Sequence, residues 1–141
     1  MREKSTDDLK QELMGQADLD KYIKDNEAYF SSDEISQTLS ALLKERSIVK
    51  AELARRAGIS EVYLHQVLSG RRTPSRDRLL CICIGLELDL EEIQQVLKQA
   101  GYALIYPKSK RDAIITHGIL HRTPLTAIND KLFMENEKTL C

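Results

Sequence analysis

The sequence contains no tryptophan, only 5% aromatic residues and only three prolines in 141 residues. A shortage of aromatic side chains argues against a β-sandwich, whose strands favour aromatic and β-branched residues. No apolar run approaches the roughly 20 residues that a membrane-spanning helix needs. Residues 1–4 lead into an acidic stretch, which differs from the apolar core of a signal peptide. These absences predict a mostly helical cytoplasmic protein with no membrane segment.

Signals for catalysis, metal binding and cofactor binding are also missing. Cys81, Cys83 and Cys141 lack the spacing of paired zinc ligands, and an odd number of cysteines is typical of a reducing compartment. Core packing is the favoured interpretation of Cys81 and Cys83, with a redox sensor as the alternative. His117 and His121 have a spacing that can bind zinc, but no third ligand is near in sequence, so structural or surface histidines are favoured. The sequence predicts no enzyme, no metal and no cofactor.

Charge is distributed unevenly, although the net charge is only −1. Residues 36–78 carry nine basic and four acidic side chains, whereas residues 1–35 carry five and ten. Residues 79–106 are acidic again, with one basic and four acidic side chains, and residues 107–141 carry six and four. A basic block between acidic flanks is a reason to look for a nucleic-acid partner in residues 36–78.

Capping and turn signals predict five helices in the middle of the chain. The predicted starts and ends are Ser32 to about Ser47, residues 50–57 before Gly58, Ser60 to about Leu68, a fourth helix capped by Ser75, and a fifth from near Asp89 to Gly101. Serine and aspartate are favoured helix caps, and glycine adopts the left-handed conformation that often follows a helix. Five helices joined by short turns predict a compact all-α domain.

The two flanks have their own patterns. Residues 1–32 form an acidic extension in which one or two short helices are expected. In residues 102–141 we predict a short apolar run over 102–106, a helix capped by Ser109 that runs to about residue 121, and a last helix with Thr123 as its cap and Pro124 as its first residue. Its apolar stripe comprises Leu125, Ile128, Leu132 and Phe133. Because about 40 residues are too few to fold alone, this appendage must dock on something.

Residues 50–68 have the small and apolar residues that a tight two-helix turn requires, and the loop Ser69-Gly70-Arg71-Arg72-Thr73-Pro74-Ser75 follows. The packing positions are Leu53, Ala54, Ala57, Gly58, Ile59, Leu64 and Val67. Together these features resemble the helix-turn-helix of the lambda-repressor/Cro-like (XRE) family, over about residues 39–93. The resemblance implies a five-helix DNA-binding domain over 33–101, between a helical N-terminal extension at 1–32 and a helical appendage at 102–141.

The resemblance further implies that the helix following Ser60 lies in the major groove of double-stranded DNA. By position, the base-reading residues are Glu61, Val62 and Gln66. Gln66 is suited to adenine, Val62 to a thymine methyl group and Glu61 to the amino group of cytosine. The alternative for Glu61 is that it only stabilises the start of its helix.

Groove and backbone contacts are implied for a larger set of residues, namely Lys50, Ser60, Tyr63, His65, Arg71, Arg72, Thr73 and Arg76. Lys50 occupies a position where the family usually has a glutamine that contacts phosphate, and Val49 replaces the usual threonine cap. Arg55, Arg56 and Arg78 either contact DNA or belong to a solvated face.

The fourth helix is apolar on nearly all sides. By the family pattern, Leu79, Ile82, Cys83 and Leu86 take core positions, and Cys81 and Ile84 take positions that are usually solvated. A helix that is apolar all round is covered on more than one side. We therefore expect the 102–141 appendage or a second subunit to cover this face.

These features predict a DNA-binding transcriptional regulator, a repressor of operator DNA that acts as a homodimer through its C-terminal helices. The acidic extension either folds onto the basic face or is a solvated helix, and it or the C-terminal helices offer a surface for a protein partner. Two alternatives stay open. One is an antitoxin that represses its own operon, and the other is a protein-interaction adaptor that has lost DNA binding.

Overall fold

A computed structural model of the chain describes residues 10–11, 19–21 and 33–141. These residues form helices joined by turns, with no strand among them, which confirms the all-α prediction. Residues 10–11 and 19–21 are helical. The rest of the acidic extension, including the predicted cap Ser32, lies outside the described residues. No helix in the described ranges combines the length and the apolar character needed to cross a membrane.

Seven helices follow one another between residues 33 and 141. They are α1 (Asp33–Glu45), α2 (Lys50–Ala57), α3 (Glu61–Leu68), α4 (Arg76–Gly85), α5 (Leu90–Gln99), α6 (Lys110–Leu120) and α7 (Leu125–Met134). The first five agree with the five helices predicted for the middle of the chain. All seven belong to one compact unit.

Side-chain caps explain where most of these helices begin. Ser60, Ser75, Asp89 and Ser109 each accept a hydrogen bond from the backbone N–H three residues later, as the sequence predicted. Asp89 and Glu92 form a complete capping box. The predicted cap of the last helix was wrong, because Pro124, and not Thr123, precedes its first residue, and no side chain caps it.

Helix α4 lies at the centre of the core. It contacts α2, α5 and α7, and its residues 79–83 are all fully buried. The predicted inward-facing residues of α2 and α3 are also buried and belong to the same core, namely Leu53, Ala54, Ala57, Leu64 and Val67. Ile59, in the turn between α2 and α3, is partly buried against the same core.

Helices α6 and α7 contact each other, and they pack on α5 and α4, respectively. Leu125, Ile128 and Leu132 are buried, as the apolar stripe predicted. Phe133 was predicted in that stripe but is 76% exposed. It directly follows the buried Leu132, so its side chain leaves the helix on a different side. The appendage at 102–141 therefore packs against α4 and covers part of its apolar surface, as the apolar sequence of α4 predicts.

The segment before α6 is not a strand. Residues 102–106 are irregular, and only Ile105 among them is buried. The amide side chain of Gln94 in α5 holds the Ile105 backbone by accepting from its N–H at 2.9 Å and donating to its carbonyl at 3.0 Å. A side chain thus supplies the hydrogen bonds that a neighbouring strand would have provided.

Candidate nucleic-acid interface

The turn between α2 and α3 is closed at both ends. Gly58 adopts the left-handed conformation with φ of 65°, which a residue without Cβ adopts at little cost. The N–H of Ile59 donates to the carbonyl of Ala54 at 3.1 Å. On the other side, the hydroxyl of Ser60 accepts from the N–H of Tyr63 at 3.0 Å. These bonds give α3 a defined direction relative to α2.

One face of α3 packs into the core and the opposite face is open. Leu64 and Val67 are buried. The open face carries Glu61, Val62, His65 and Gln66, of which the first three are exposed and Gln66 is half-buried. Val62 is 69% exposed although it is aliphatic, so it contributes little to the core. A carboxylate, an aliphatic group and an amide on one helical face are suited to contacts with base edges.

Glu61 has a neighbour on its own helix. Its carboxylate lies 3.9 Å from Nε2 of His65, one turn later. Glu61 also lies in the first turn of α3, where a carboxylate stabilises the helix dipole. A protonated His65 would offset part of the negative charge that Glu61 presents. The geometry therefore accommodates both interpretations of Glu61.

The loop after α3 folds back on the last turn of that helix. The carbonyl of Gln66 accepts from the hydroxyl of Ser69 at 3.1 Å and from the N–H groups of Arg71 and Arg72 at 3.0 and 3.2 Å. Arg71, Arg72 and Thr73 are exposed. The loop consequently holds two exposed guanidinium groups beside the residue predicted to read a base.

The ring of Tyr63 is partly buried and has two arginines close to it. The guanidinium carbon of Arg78 is 4.6 Å from the ring centroid, and that of Arg72 is 5.5 Å away, both within cation–π range. Burial raises the pKa of Tyr63 above its usual range, so its phenol is neutral at physiological pH. The family resemblance predicts Tyr63 beside the groove, but no local sequence signal pairs its ring with Arg78.

Arg76 has a different environment from the one predicted. Its guanidinium donates to the backbone carbonyls of Ala103 and Leu104 at 2.8 and 3.2 Å, and to the carboxylate of Asp112 at 3.3 Å. Its side chain is only 22% exposed. Arg76 therefore attaches the segment before α6 to the start of α4, and its guanidinium is occupied by these contacts.

The start of α2 shares a surface groove with α3. Val49, Lys50, Glu61 and His65 all line this groove. Val49 is extended and provides no side-chain hydrogen bond to the first turn of α2, as its replacement of a threonine cap predicted. Lys50 is exposed there. A lysine beside uncapped backbone N–H groups forms a positively charged edge on the groove.

Arg55 and Arg56 are engaged in ion pairs within α2. Both donate to the carboxylate of Glu52, and Arg56 also lies 3.6 Å from the carboxylate of Glu87. The hydrogen bonds from Arg55 and Arg56 lower the pKa of Glu52 to about 2. These pairs favour the solvated alternative for the two arginines.

The other candidates from the sequence lie away from this surface. Cys81 and Cys83 are fully buried on α4, in agreement with core packing. The rings of His117 and His121 are 4.2 Å apart between centroids. Over the described ranges, no group of three or more His, Cys, Asp or Glu side chains is placed to hold a metal ion.

Comparison with known proteins gives two findings. The family model for the Cro/C1-type HTH DNA-binding domain matches residues 38–97, which include α2, α3 and the loop after them. The chain is also similar to the ImmF control region 10 kDa protein of Bacillus phage phi105. The two are 32% identical over 75 residues, which cover 50% of this chain and 83% of the phage protein. No solved structure matches the chain.

Proposed function

The chain belongs to the family of Cro/C1-type helix-turn-helix DNA-binding domains and is a DNA-binding regulator, and we propose that it represses transcription from operator DNA. The observation that carries the proposal is the open face of α3, which lies directly beside the arginine loop. In this arrangement Glu61, Val62 and Gln66 contact base edges. Such a regulator acts on DNA in the cytoplasm and performs no chemical reaction.

The remaining contacts in the proposal are to the phosphate backbone. Arg71 and Arg72 contact phosphates, and Lys50 does so from the start of α2. The family-matched residues Ser60, Tyr63, His65 and Thr73 complete the proposed groove and backbone set. Support comes from exposure and position, since these residues lie on α3, on the loop after it, or beside the shared groove.

We further propose that the protein binds as a homodimer, with 33–101 as the DNA-binding module and 102–141 as the dimerisation region. Helices α6 and α7 support this role because they leave large apolar side chains exposed, namely Leu120, Phe133 and Met134. A dimer of this kind reads two half-sites about one helical turn apart. The same helices, or the acidic extension, are the proposed surfaces for any protein partner.

Fluorescence anisotropy with a labelled duplex from the chain's own promoter tests the proposal, with a scrambled duplex of equal length as the reference. The affinity is measured across a range of salt concentrations. Each phosphate contact contributes about −0.9 to the slope of log K against log salt. Arg71→Ala with Arg72→Ala removes two contacts from each protomer, so it should flatten that slope by about two units per bound protomer, or about four units for the proposed dimer, on both duplexes. A reporter gene downstream of the same promoter then reports the sign of regulation.

The matched control is Lys98→Ala, which removes a positive charge from an exposed position on α5, outside both the proposed DNA interface and the proposed dimerisation region. This control should retain nearly the full slope. An unchanged slope in the arginine variant would exclude the loop from the interface. Failure of the wild-type chain to bind either duplex at low salt would instead favour the adaptor. Operator binding with copurification of a toxin from a neighbouring gene would indicate the antitoxin.

A further inference from the structure

Residues 137–141, which we call the tail, are bound tightly to α6 and α7. The guanidinium of Arg111 in α6 donates to the carbonyls of Lys138 and Thr139 at 2.8 and 3.2 Å. The amide oxygen of Asn129 in α7 accepts from the N–H of Leu140 at 2.7 Å. Leu140 is only 3% exposed. Residues that would otherwise be a loose segment therefore have one defined path across the molecule.

That path brings two cysteines together that are distant in sequence. The thiol of Cys81 in α4 donates to the carbonyl of Leu140 at 3.8 Å, so Cys81 lies beside the residue that directly precedes Cys141. The sulfur of Cys141 in turn accepts from the amide nitrogen of Asn129 at 3.1 Å. Cys81 is buried and Cys141 is exposed. An exposed thiol thus follows directly on the residue whose backbone carbonyl the buried thiol contacts.

The third cysteine faces another part of the molecule. Burial raises the pKa of the Cys83 thiol to about 12, and the carboxylate of Glu92 in α5 contributes to that shift. Burial also raises the pKa of the Cys81 thiol far above its usual range, with a further contribution from Cys141. Both buried thiols are protonated and shielded from solvent, so a soluble oxidant meets Cys141 first.

We propose that Cys141 and Cys81 form an oxidative modification site whose co-reactant is hydrogen peroxide. The sulfur of Cys141 takes one oxygen atom from the peroxide as the O–O bond breaks, which yields a sulfenic acid and one water. The Cys81 thiol then gives up its proton as its sulfur attacks the Cys141 sulfur and displaces the sulfenic hydroxyl. That hydroxyl leaves with the Cys81 proton as a second water, and a disulfide remains. A low-molecular-weight thiol reverses the reaction by thiol–disulfide exchange.

The disulfide would link the tail covalently to α4, the central helix of the core. The disulfide would also hold the sulfur of Cys141 beside Gly58 in the turn between α2 and α3. A Cβ atom at Gly58 would lie only 3.2 Å from that sulfur. The proposal depends on the packing of the tail and is independent of whether α3 binds DNA.

The test uses the full chain, reduced and folded. Hydrogen peroxide is added, the reaction is quenched, and the protein is denatured and alkylated with N-ethylmaleimide before mass spectrometry. We expect one alkylated cysteine, Cys83, in place of three, and a cross-linked peptide that joins Cys81 to Cys141. The exposed position of Cys141 makes Cys141→Ser the appropriate variant, since it leaves the core unchanged. In that variant Cys81 should stay reduced and accept the alkylating reagent.

Cys83→Ala is the matched control and should form the same cross-link as the wild type. In concentrated urea the tail is released from α4. Oxidation there should no longer favour the Cys81–Cys141 disulfide over the other cysteine pairs. The proposal is overturned if Cys141 forms only a sulfinic acid or an intermolecular disulfide while Cys81 stays reduced. It is also overturned if Cys81 pairs with Cys83, or if urea leaves the yield unchanged.

Discussion

The contact between α6 and α7 predicts an unusual effect of replacing Gly118 with alanine. Gly118 is buried at this contact, and a Cβ atom there would lie 2.5 Å from Cγ1 and 2.6 Å from Cδ1 of Ile128. Ile128 is itself only 2% exposed, so its side chain would have to shift within the contact between the two helices. The two helices can approach this closely only because residue 118 has no side chain.

Two opposing effects decide the magnitude. Overpacking of a well-filled core costs about 1–3 kcal/mol. Alanine favours a helix interior over glycine by about 1 kcal/mol. In the wild-type background we therefore expect Gly118→Ala to lower the free energy of unfolding by about 1 kcal/mol. In an Ile128→Ala background the clash disappears, and the same substitution should raise the free energy of unfolding by about 1 kcal/mol.

Urea unfolding followed by far-UV circular dichroism measures all four proteins of this double-mutant cycle. Ile128→Ala alone should cost about 2–5 kcal/mol, so the unfolding transition must start from a stable wild type. The expected coupling of about 2 kcal/mol lies in the range for residues in direct contact. Equal stabilisation by Gly118→Ala in both backgrounds would refute the reasoning, because it would mean that Ile128 does not limit the space.

Two further predictions concern α2. Val49→Ser should raise the free energy of unfolding by about 1 kcal/mol, because residue 49 already has the extended conformation of a helix cap and only lacks the acceptor; no gain in a thermal melt would show that this end of α2 is already satisfied. Glu52→Gln should weaken the acid sensitivity of the protein. The folded-state pKa of Glu52 is depressed to about 2 from 4.5, so the stabilisation by its ion pairs is present above pH 4.5 and is lost as the pH falls toward 2. The urea midpoint is measured above pH 4.5 and again near pH 2, and the difference between the two should be smaller in the variant than in the wild type. An equal difference in both proteins would contradict a stabilising role for the Glu52 ion pairs.

Local signals accounted for most of the fold. Gly58 and the caps Ser60, Ser75 and Asp89 act within a few residues of themselves, so their helices were predicted with nearly the observed bounds. The predicted Thr123 cap failed because Pro124 already has the extended conformation that precedes the helix. A dipeptide pattern alone did not show which of the two residues would be the boundary.

Long-range contacts account for what the sequence did not reveal. Arg76 looked like one more basic residue of the DNA-facing loop, but its partners come from residues 103–112. The prediction that the appendage covers Cys81 is confirmed. The covering residue is Leu140 in the tail, and no sequence pattern indicated that this segment would reach Cys81. The open face of α3 was predicted as a set because helical spacing alone decides which side chains share it.

The hydrogen bonds at Gln66 have an evolutionary consequence. The loop that carries Arg71 and Arg72 is tied to the carbonyl of residue 66, a group that every amino acid possesses. In the proposed interface, the side chain of that same residue faces the bases. Substitutions at position 66 would therefore alter the preferred operator and leave the arginine loop in place. Sequence preference and general affinity for DNA are then free to diverge separately among descendants of this protein.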